Sequence, residues 1–318
     1  MHKRREFKKT ISNAATHLRS HAKDYATTAL LTAFFTSAPF KFRTNTTRHQ
    51  TPANPLKYTS TLSIAPADAS AQDGSHELDF YRNQVSVDSL EKHIKKLESN
   101  IQYPSSRRLG TEGNEKARHY IIEVLESYGY GVRLDTFKYT WNDPLPNMIN
   151  KFGVNVMAEK PGRDGKFGIF CAHYDCNQKS PGADDNGSGT AALLELARII
   201  GKNYPDTTKI GTKILFTDAE EEMVEPTGAS HYCKELKNST DWKYIINLDM
   251  IGGWCSKLFT QSIYSNSCGK EISDEMLALI KDDTLQYAPN DTSSWYWKWG
   301  PGGDGDVFFQ KLGYPLIG

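Results

Sequence analysis

Three short apolar runs, each running into acidic or imidazole groups, constrain this chain more than any other feature. Gly168 to His173 (GIFCAH) is followed by Asp175. Lys213 to Thr217 (KILFT) is followed by Glu220, Glu221 and Glu222. Tyr244 to Met250 (YIINLDM) contains Asp249. Runs of this length and composition read as strands buried on both faces. Between the first two lies Thr190 to Ile200 (TAALLELARII), whose length and apolar content indicate a buried helix. Helices alternating with buried strands give α/β layering around a mainly parallel or mixed sheet.

The pattern extends upstream. Ser86 to Asn100 has helical spacing at Leu90, Ile94 and Leu97. Gly110 to Gly129 is a second helix, with Ala117, Ile121 and Leu125 on one face and Gly129 as its stop. Gly131 to Tyr139 and Gly153 to Lys160 read as strands, and Ile272 to Ile280 as a helix. Before Ser86 the composition changes. Met1 to Lys23 is basic, Tyr25 to Phe40 fits the apolar core of a signal segment, and Arg43 to Gly74 is polar and aperiodic, as in a disordered linker. The apolar stretch is too short and too rich in Thr and Ser for a stable membrane span. The chain therefore divides into a leader with a signal segment and linker, 1–85, and one folded domain, 86–318. Export places that domain in a secreted or periplasmic setting; a cytoplasmic protein with an amphipathic tail is the alternative.

Lys plus Arg and Asp plus Glu balance at 38 each, which leaves no footprint for nucleic acid or an anionic membrane. The five cysteines show no CxxC spacing, so a structural zinc knuckle is not expected. Cys255 and Cys268 bracket a loop-like sequence and are the pair most suited to a disulfide; five reduced thiols is the alternative.

The acidic groups form a pattern. His173 and Asp175 follow one strand, Asp184 and Asp185 sit in the glycine-bounded loop PGADDNGSG, Glu220 to Glu222 follow the next strand, and Asp249 closes the third. Open α/β sheets bind ligands at the carboxyl ends of their strands. Carboxylates converging there repel one another unless cations neutralise them. Mixed His and carboxylate donors suit zinc, with oxygen ligands bridging two ions about 3.5–4 Å apart. Taken singly, each piece has a bland reading: a surface loop, a helix cap, a solvated acidic run. Asp249 in an apolar strand is harder to dismiss, because a buried carboxylate without a partner is costly. The ordered set is much more specific than its parts.

That ordered set resembles the dizinc aminopeptidases of the bacterial leucyl aminopeptidase and aminopeptidase Y type. The resemblance runs from about Ser86 to the end and includes GTEGNEKARHYI and NVMAEKPG. It implies a three-layer αβα sandwich with a mixed, mainly parallel central sheet. It also implies a zinc-dependent aminopeptidase that acts on peptide or protein N-termini, as a monomer with two zinc ions in its complete form. Residue by residue, it makes His173, Asp185, Glu221 and Asp249 metal ligands, with Asp185 bridging. Asp175 would orient His173, and Glu220 would be the general base. Asp184 and Glu222 receive no role.

The chain departs from that pattern in three places. The family carries a further histidine ligand near its C-terminus, beyond a Gly-x-Pro element. Here Gly313-Tyr314-Pro315 matches the element, but no histidine follows His231. The resemblance thus leaves the catalytic domain C-terminally incomplete, with the last strand and helix expected to be missing and one metal site weakened. Met223 to Ser230 lengthens the loop beside the base, and Trp295, Tyr296, Trp297 and Trp299 are candidates to line the pocket. Asp304 and Asp306 are assigned no role. Two other functions remain open: a single-zinc glutaminyl cyclase, and a non-catalytic binding domain on the same scaffold. Carboxypeptidase or dipeptidase specificity is a milder variant.

Overall fold

The carboxyl ends of three adjacent parallel strands define the functional edge of this molecule. The computed structural model describes residues 83–99, 107–140, 152–177, 180–203, 210–222, 224–251, 261–265, 285–289, 303–312 and 316–317. Within these, the elements are α1 (Val87–Ser99), α2 (Glu112–Ser127), β1 (Val132–Lys138), β2 (Phe152–Lys160), β3 (Phe167–His173), α3 (Gly187–Asn203), β4 (Gly211–Thr217), α4 (Gly228–Lys237), β5 (Trp242–Asn247), β6 (Gln261–Ser265), β7 (Leu285–Pro289), α5 (Asp304–Leu312) and β8 (Leu316–Ile317).

The strands form one sheet in the order β1-β2-β4-β3-β5-β8-β6-β7. β3 runs parallel to β4 and β5, and β5 to β8; β2 joins the group antiparallel through β4. The sheet is thus mixed with a parallel centre, as expected. Every residue of β3 is buried, because helices cover both of its faces. Side chains alternate along it. Phe170 and Ala172 pack with α1, α2 and α3 through Leu97, Ile121, Leu125 and Leu193. Ile169 and Cys171 pack on the other side with Tyr232 and Leu236 of α4 and Phe308 of α5. This is the αβα sandwich.

Local chemistry sets the element ends. Thr111 caps α2, its side chain accepting from the Asn114 N–H, and Gly129 takes a left-handed backbone (φ 87) just past the helix. Ala117, Ile121 and Leu125 are fully buried, each Leu or Ile contributing about 1.5–3 kcal/mol.

Four expectations need correction or extension. The strand read to Met250 stops at Asn247, so Asp249 lies two residues beyond it. The backbone turns sharply there, with Met250 at φ 50. Helices α4 and α5 were not anticipated. Asp304 begins α5, a nine-residue helix entered through Gly303. The strand expected to be missing after Gly313-Tyr314-Pro315 is present at Leu316–Ile317, paired with β5 and β6. The leader to residue 82, Cys255, Cys268, Ile272 to Ile280 and the Trp295–Trp299 group lie outside the described residues. Among the described residues, no helix is long and apolar enough to cross a membrane.

Candidate metal centre

The register of the parallel strands brings the site together. His173 pairs with Thr217 across β3 and β4, and Cys171 pairs with Asn247 across β3 and β5. His173 therefore sits at the end of the central strand. Glu220 and Glu221 emerge beside it on one side, and Asp249 on the other. Asp185 arrives from the loop before α3. Ala219 (φ 66) and Met250 (φ 50) are the non-glycine residues with left-handed backbone among those described, and each adjoins a site carboxylate. Such strain persists where surrounding structure over-determines it.

His173 is almost fully buried. Its Nε2 faces Asp185 Oδ1 at 3.3 Å, Asp249 Oδ1 at 3.5 Å and Glu220 Oε2 at 3.8 Å. Its Nδ1 faces Asp175 Oδ1 at 3.4 Å. Neither ring nitrogen makes a well-formed hydrogen bond, and Asp249 Oδ1 is likewise buried without one. Donor atoms of His173, Glu220 and Asp249 all lie within 4.8 Å of one another. Two ligands each about 2.1 Å from a tetrahedral zinc stand roughly 3.4 Å apart, so these separations fit a shared cation better than direct hydrogen bonds.

Asp175 is fully buried and faces inward from the ring. Its oxygens accept the backbone N–H groups of Glu220 (3.2 Å) and Glu221 (3.1 Å). Asp185 faces His173 Nε2 on one side and acts on the Glu221 carboxyl on the other. It thus stands between two groups of donors.

The electrostatics call for positive charge. Burial raises the pKa of Glu220 to about 9, with Asp304, Asp175 and Asp249 adding to the rise against His173. Burial, then Asp185 and Asp175, raise Glu221 to about 7. For His173, burial opposes the charged form, but Asp175, Asp185, Asp249 and Glu220 together hold its pKa well above the ordinary imidazole value. Carboxyl groups this reluctant to ionise, around buried unpartnered donors, suit a cation site.

All six residues singled out in the sequence therefore converge. The Asp184 side chain instead accepts from Ser188 Oγ (3.2 Å). Glu222 is gripped by Arg108 in a two-point ion pair with both partners largely buried. Sequence reasoning left one member without a role. Asp304 is fully buried, accepts from Thr217 Oγ1, and has its other oxygen unpartnered. Burial raises its pKa to about 7, and Asp175 and Asp249 add to the rise. An Asp opening the apolar run VFFQKL was the available signal, obscured by the flanking glycines.

The profile of peptidase family M28 matches residues 155–318, about half of the chain. The chain belongs to peptidase family M28. Aminopeptidase YwaD of Bacillus subtilis is 34% identical over 165 residues, covering 46% of this chain and 34% of that protein. The chain spans half or less of the length of the curated relatives it matches. Among solved structures, a glutaminyl cyclase from Porphyromonas gingivalis superposes with a TM-score of 0.55 at 21% identity, covering 74% of this chain and 83% of that one. A Zn-dependent exopeptidase from Parabacteroides distasonis does so with 0.53 at 21% identity, covering 73% and 83%. Both likenesses are likenesses of fold.

Proposed function

We propose that this M28 domain is the catalytic part of a zinc aminopeptidase that removes N-terminal residues from peptides at a two-ion centre. The observation that supports two ions is the place of Asp185, between His173 on one side and Glu221 on the other. On this reading His173, Asp185, Glu221 and Asp249 would be the residues that hold the ions. The names of relatives support the metal and the activity: an aminopeptidase, and a Zn-dependent exopeptidase of the same fold. Bound zinc would supply a water of lowered pKa, toward about 7, and a Lewis acid for the scissile carbonyl.

The chain's own residues supply the rest. Asp175 presents its carboxylate to His173 Nδ1 and fixes the ring with Nε2 toward the ligands. Glu220, largely buried with Oε2 3.8 Å from His173 Nε2, is placed to take a proton from the attacking water and return it to the leaving amine. Its neighbours Asp249 and Asp185 keep the mouth acidic, and both are partly exposed, at 30% and 38% of their side chains. A free α-ammonium on the substrate is complementary to that mouth.

The test is Glu220→Gln in the 318-residue chain. Loss of turnover on free-amine aminoacyl substrates, with the zinc content of wild type retained, is the expected result. Full turnover by the zinc-loaded variant overturns the base assignment. One zinc per chain, with cyclisation of N-terminal glutamine in place of hydrolysis, selects the cyclase alternative.

A further inference from the structure

We infer that Arg107 is a positioning residue for the metal centre, its buried guanidinium gathering the carbonyls of the two segments that carry Asp175 and Asp185. The inference rests on the reading of those residues as the surround of a metal. Arg107 is fully buried. Its Nε donates to Tyr174 O at 2.9 Å, its Nη1 to Pro181 O at 3.2 Å and its Nη2 to Gly182 O at 2.9 Å. Tyr174 immediately precedes Asp175, and Gly182 stands three residues before Asp185. The same Gly182 oxygen accepts the N–H of Gly187, the first residue of α3, at 2.9 Å. One planar fork therefore ties together the exit of β3, the loop before Asp185 and the start of the following helix.

The loop is shaped around that fork. Gly182 has a left-handed backbone (φ +66), and a Cβ there would lie 2.7 Å from Arg107 Nη2 and 2.9 Å from Asp185 O. Any side chain at 182 would push apart the cation and the Asp185 backbone. Arg107 is itself anchored, its carbonyl accepting from Asn114 Nδ2 (3.2 Å), and that amide also donates to Asp218 Oδ1 (2.9 Å). Placing a full positive charge in the interior with backbone carbonyls as its close partners is costly, and a neutral residue would hold a loop more cheaply. The cost has a return here, because the guanidinium charge favours the ionised form of the Asp185 carboxylate. A lysine keeps the charge but offers a single point of donation in place of the three-carbonyl fork.

The experiment compares wild type and Arg107→Lys as full 318-residue chains, reading zinc affinity by chelator competition alongside the unfolding transition of the metal-free protein. The expected result is a cooperatively folded Arg107→Lys chain whose zinc affinity falls at least tenfold. A folded Arg107→Lys chain with wild-type zinc affinity overturns the inference while leaving the metal site standing. A wild-type chain that binds no zinc overturns both. Should the lysine variant fail to fold, Arg107→Ala is titrated with ethylguanidinium. Recovery of zinc affinity with added guanidinium supports the positioning role; failure to recover it, with or without folding, overturns it.

Discussion

The carboxylate of Asp175 meets His173 Nδ1 at 3.4 Å from the interior side, while its two oxygens accept the amides of Glu220 and Glu221. One buried carboxylate thus fixes both the imidazole at the end of β3 and the acidic pair after β4. Asp175→Asn keeps the volume, but only one of its two terminal atoms can accept. Its NH₂ must then oppose a backbone N–H in either orientation, and the imidazole as well in one of them. Loss of such a supporting partner typically costs 10–100-fold in metal affinity or activity. We expect Asp175→Asn to fold and to lose zinc affinity and turnover within that range. Zinc titration against a competing chelator, with turnover measured at saturating metal, checks it.

The metal-free protein should lose stability as pH rises. The folded state holds the Glu220 proton to about pH 9 and those of Glu221 and Asp304 to about 7, whereas the ordinary values are 4.5, 4.5 and 3.8. Between the two sets of values the folded chain binds more protons than the unfolded chain, so stability falls with pH across that window. A fully buried group contributes a slope of up to about 1.4 kcal/mol per pH unit, and half-buried Glu221 contributes less because water screens it. The raised pKa of His173 acts in the same sense. The lowered pKa of Asp185 acts in the opposite sense, with stability lost as pH drops below its ordinary 3.8, outside this window. Thermal unfolding from pH 5 to 9 should therefore show a falling midpoint in chelator and a much flatter one with zinc. Parallel curves in the two conditions would count against a cation at this site.

Much of this site was legible in the sequence because it sits on periodic structure. GIFCAH, KILFT and YIINLD are apolar throughout, so their ends, and the acidic groups following them, could be placed without knowing the sheet order. Apolar spacing also located α1, α2 and α3. The misses share a different cause. Helix α4 carries its burial on Ala229, Tyr232, Cys233 and Leu236 among charged neighbours, and its start is fixed by Thr227 accepting from the Ser230 N–H. That is a weak pattern inside a loop-like sequence. Arg107 and Asp304 were invisible for a stronger reason. A charged residue in a polar stretch reads as solvated, and its burial depends on contacts 67 to 87 residues away, with Tyr174 and Thr217.

The approach of α4 to the exit of β4 predicts a sensitive glycine. A Cβ at Gly228 would fall 2.2 Å from Asn155 Oδ1, 2.5 Å from Asp218 O and 2.7 Å from Asp218 N. Two of these atoms are backbone and cannot swing away. The Gly228 N–H also donates to Asp218 O at 2.8 Å, and Asn155 bridges the two segments. Gly228→Ala should destabilise the fold by about 1–3 kcal/mol, the usual range for overpacking. It should also disturb the Asp218–Glu222 segment enough to lower turnover. Denaturant midpoints compared with wild type give the first effect, and activity well below the transition gives the second.

Asp304 offers the cleanest separation of charge from shape. Asparagine in its place keeps an acceptor for Thr217 Oγ1 and nearly the same volume, while removing a carboxylate that Asp175 and Asp249 oppose. The Asp304 carboxyl is protonated in the metal-free fold below about pH 7, so at pH 5 it is as neutral as the amide. Wild type and Asp304→Asn should have similar metal-free stability only at or below the ordinary value of 3.8, where the unfolded carboxyl is neutral as well. From 3.8 to about 7 the unfolded wild-type carboxyl ionises while the folded one keeps its proton, so wild type loses stability as pH rises and the variant does not. The variant should therefore become the more stable of the two, with the gap widening from about pH 4 to 7, levelling off above that, and shrinking when zinc neutralises the ring. Unfolding midpoints of both proteins across this range, with and without zinc, decide the matter. A constant gap at every pH would mean that Asp304 acts through packing alone and not through charge.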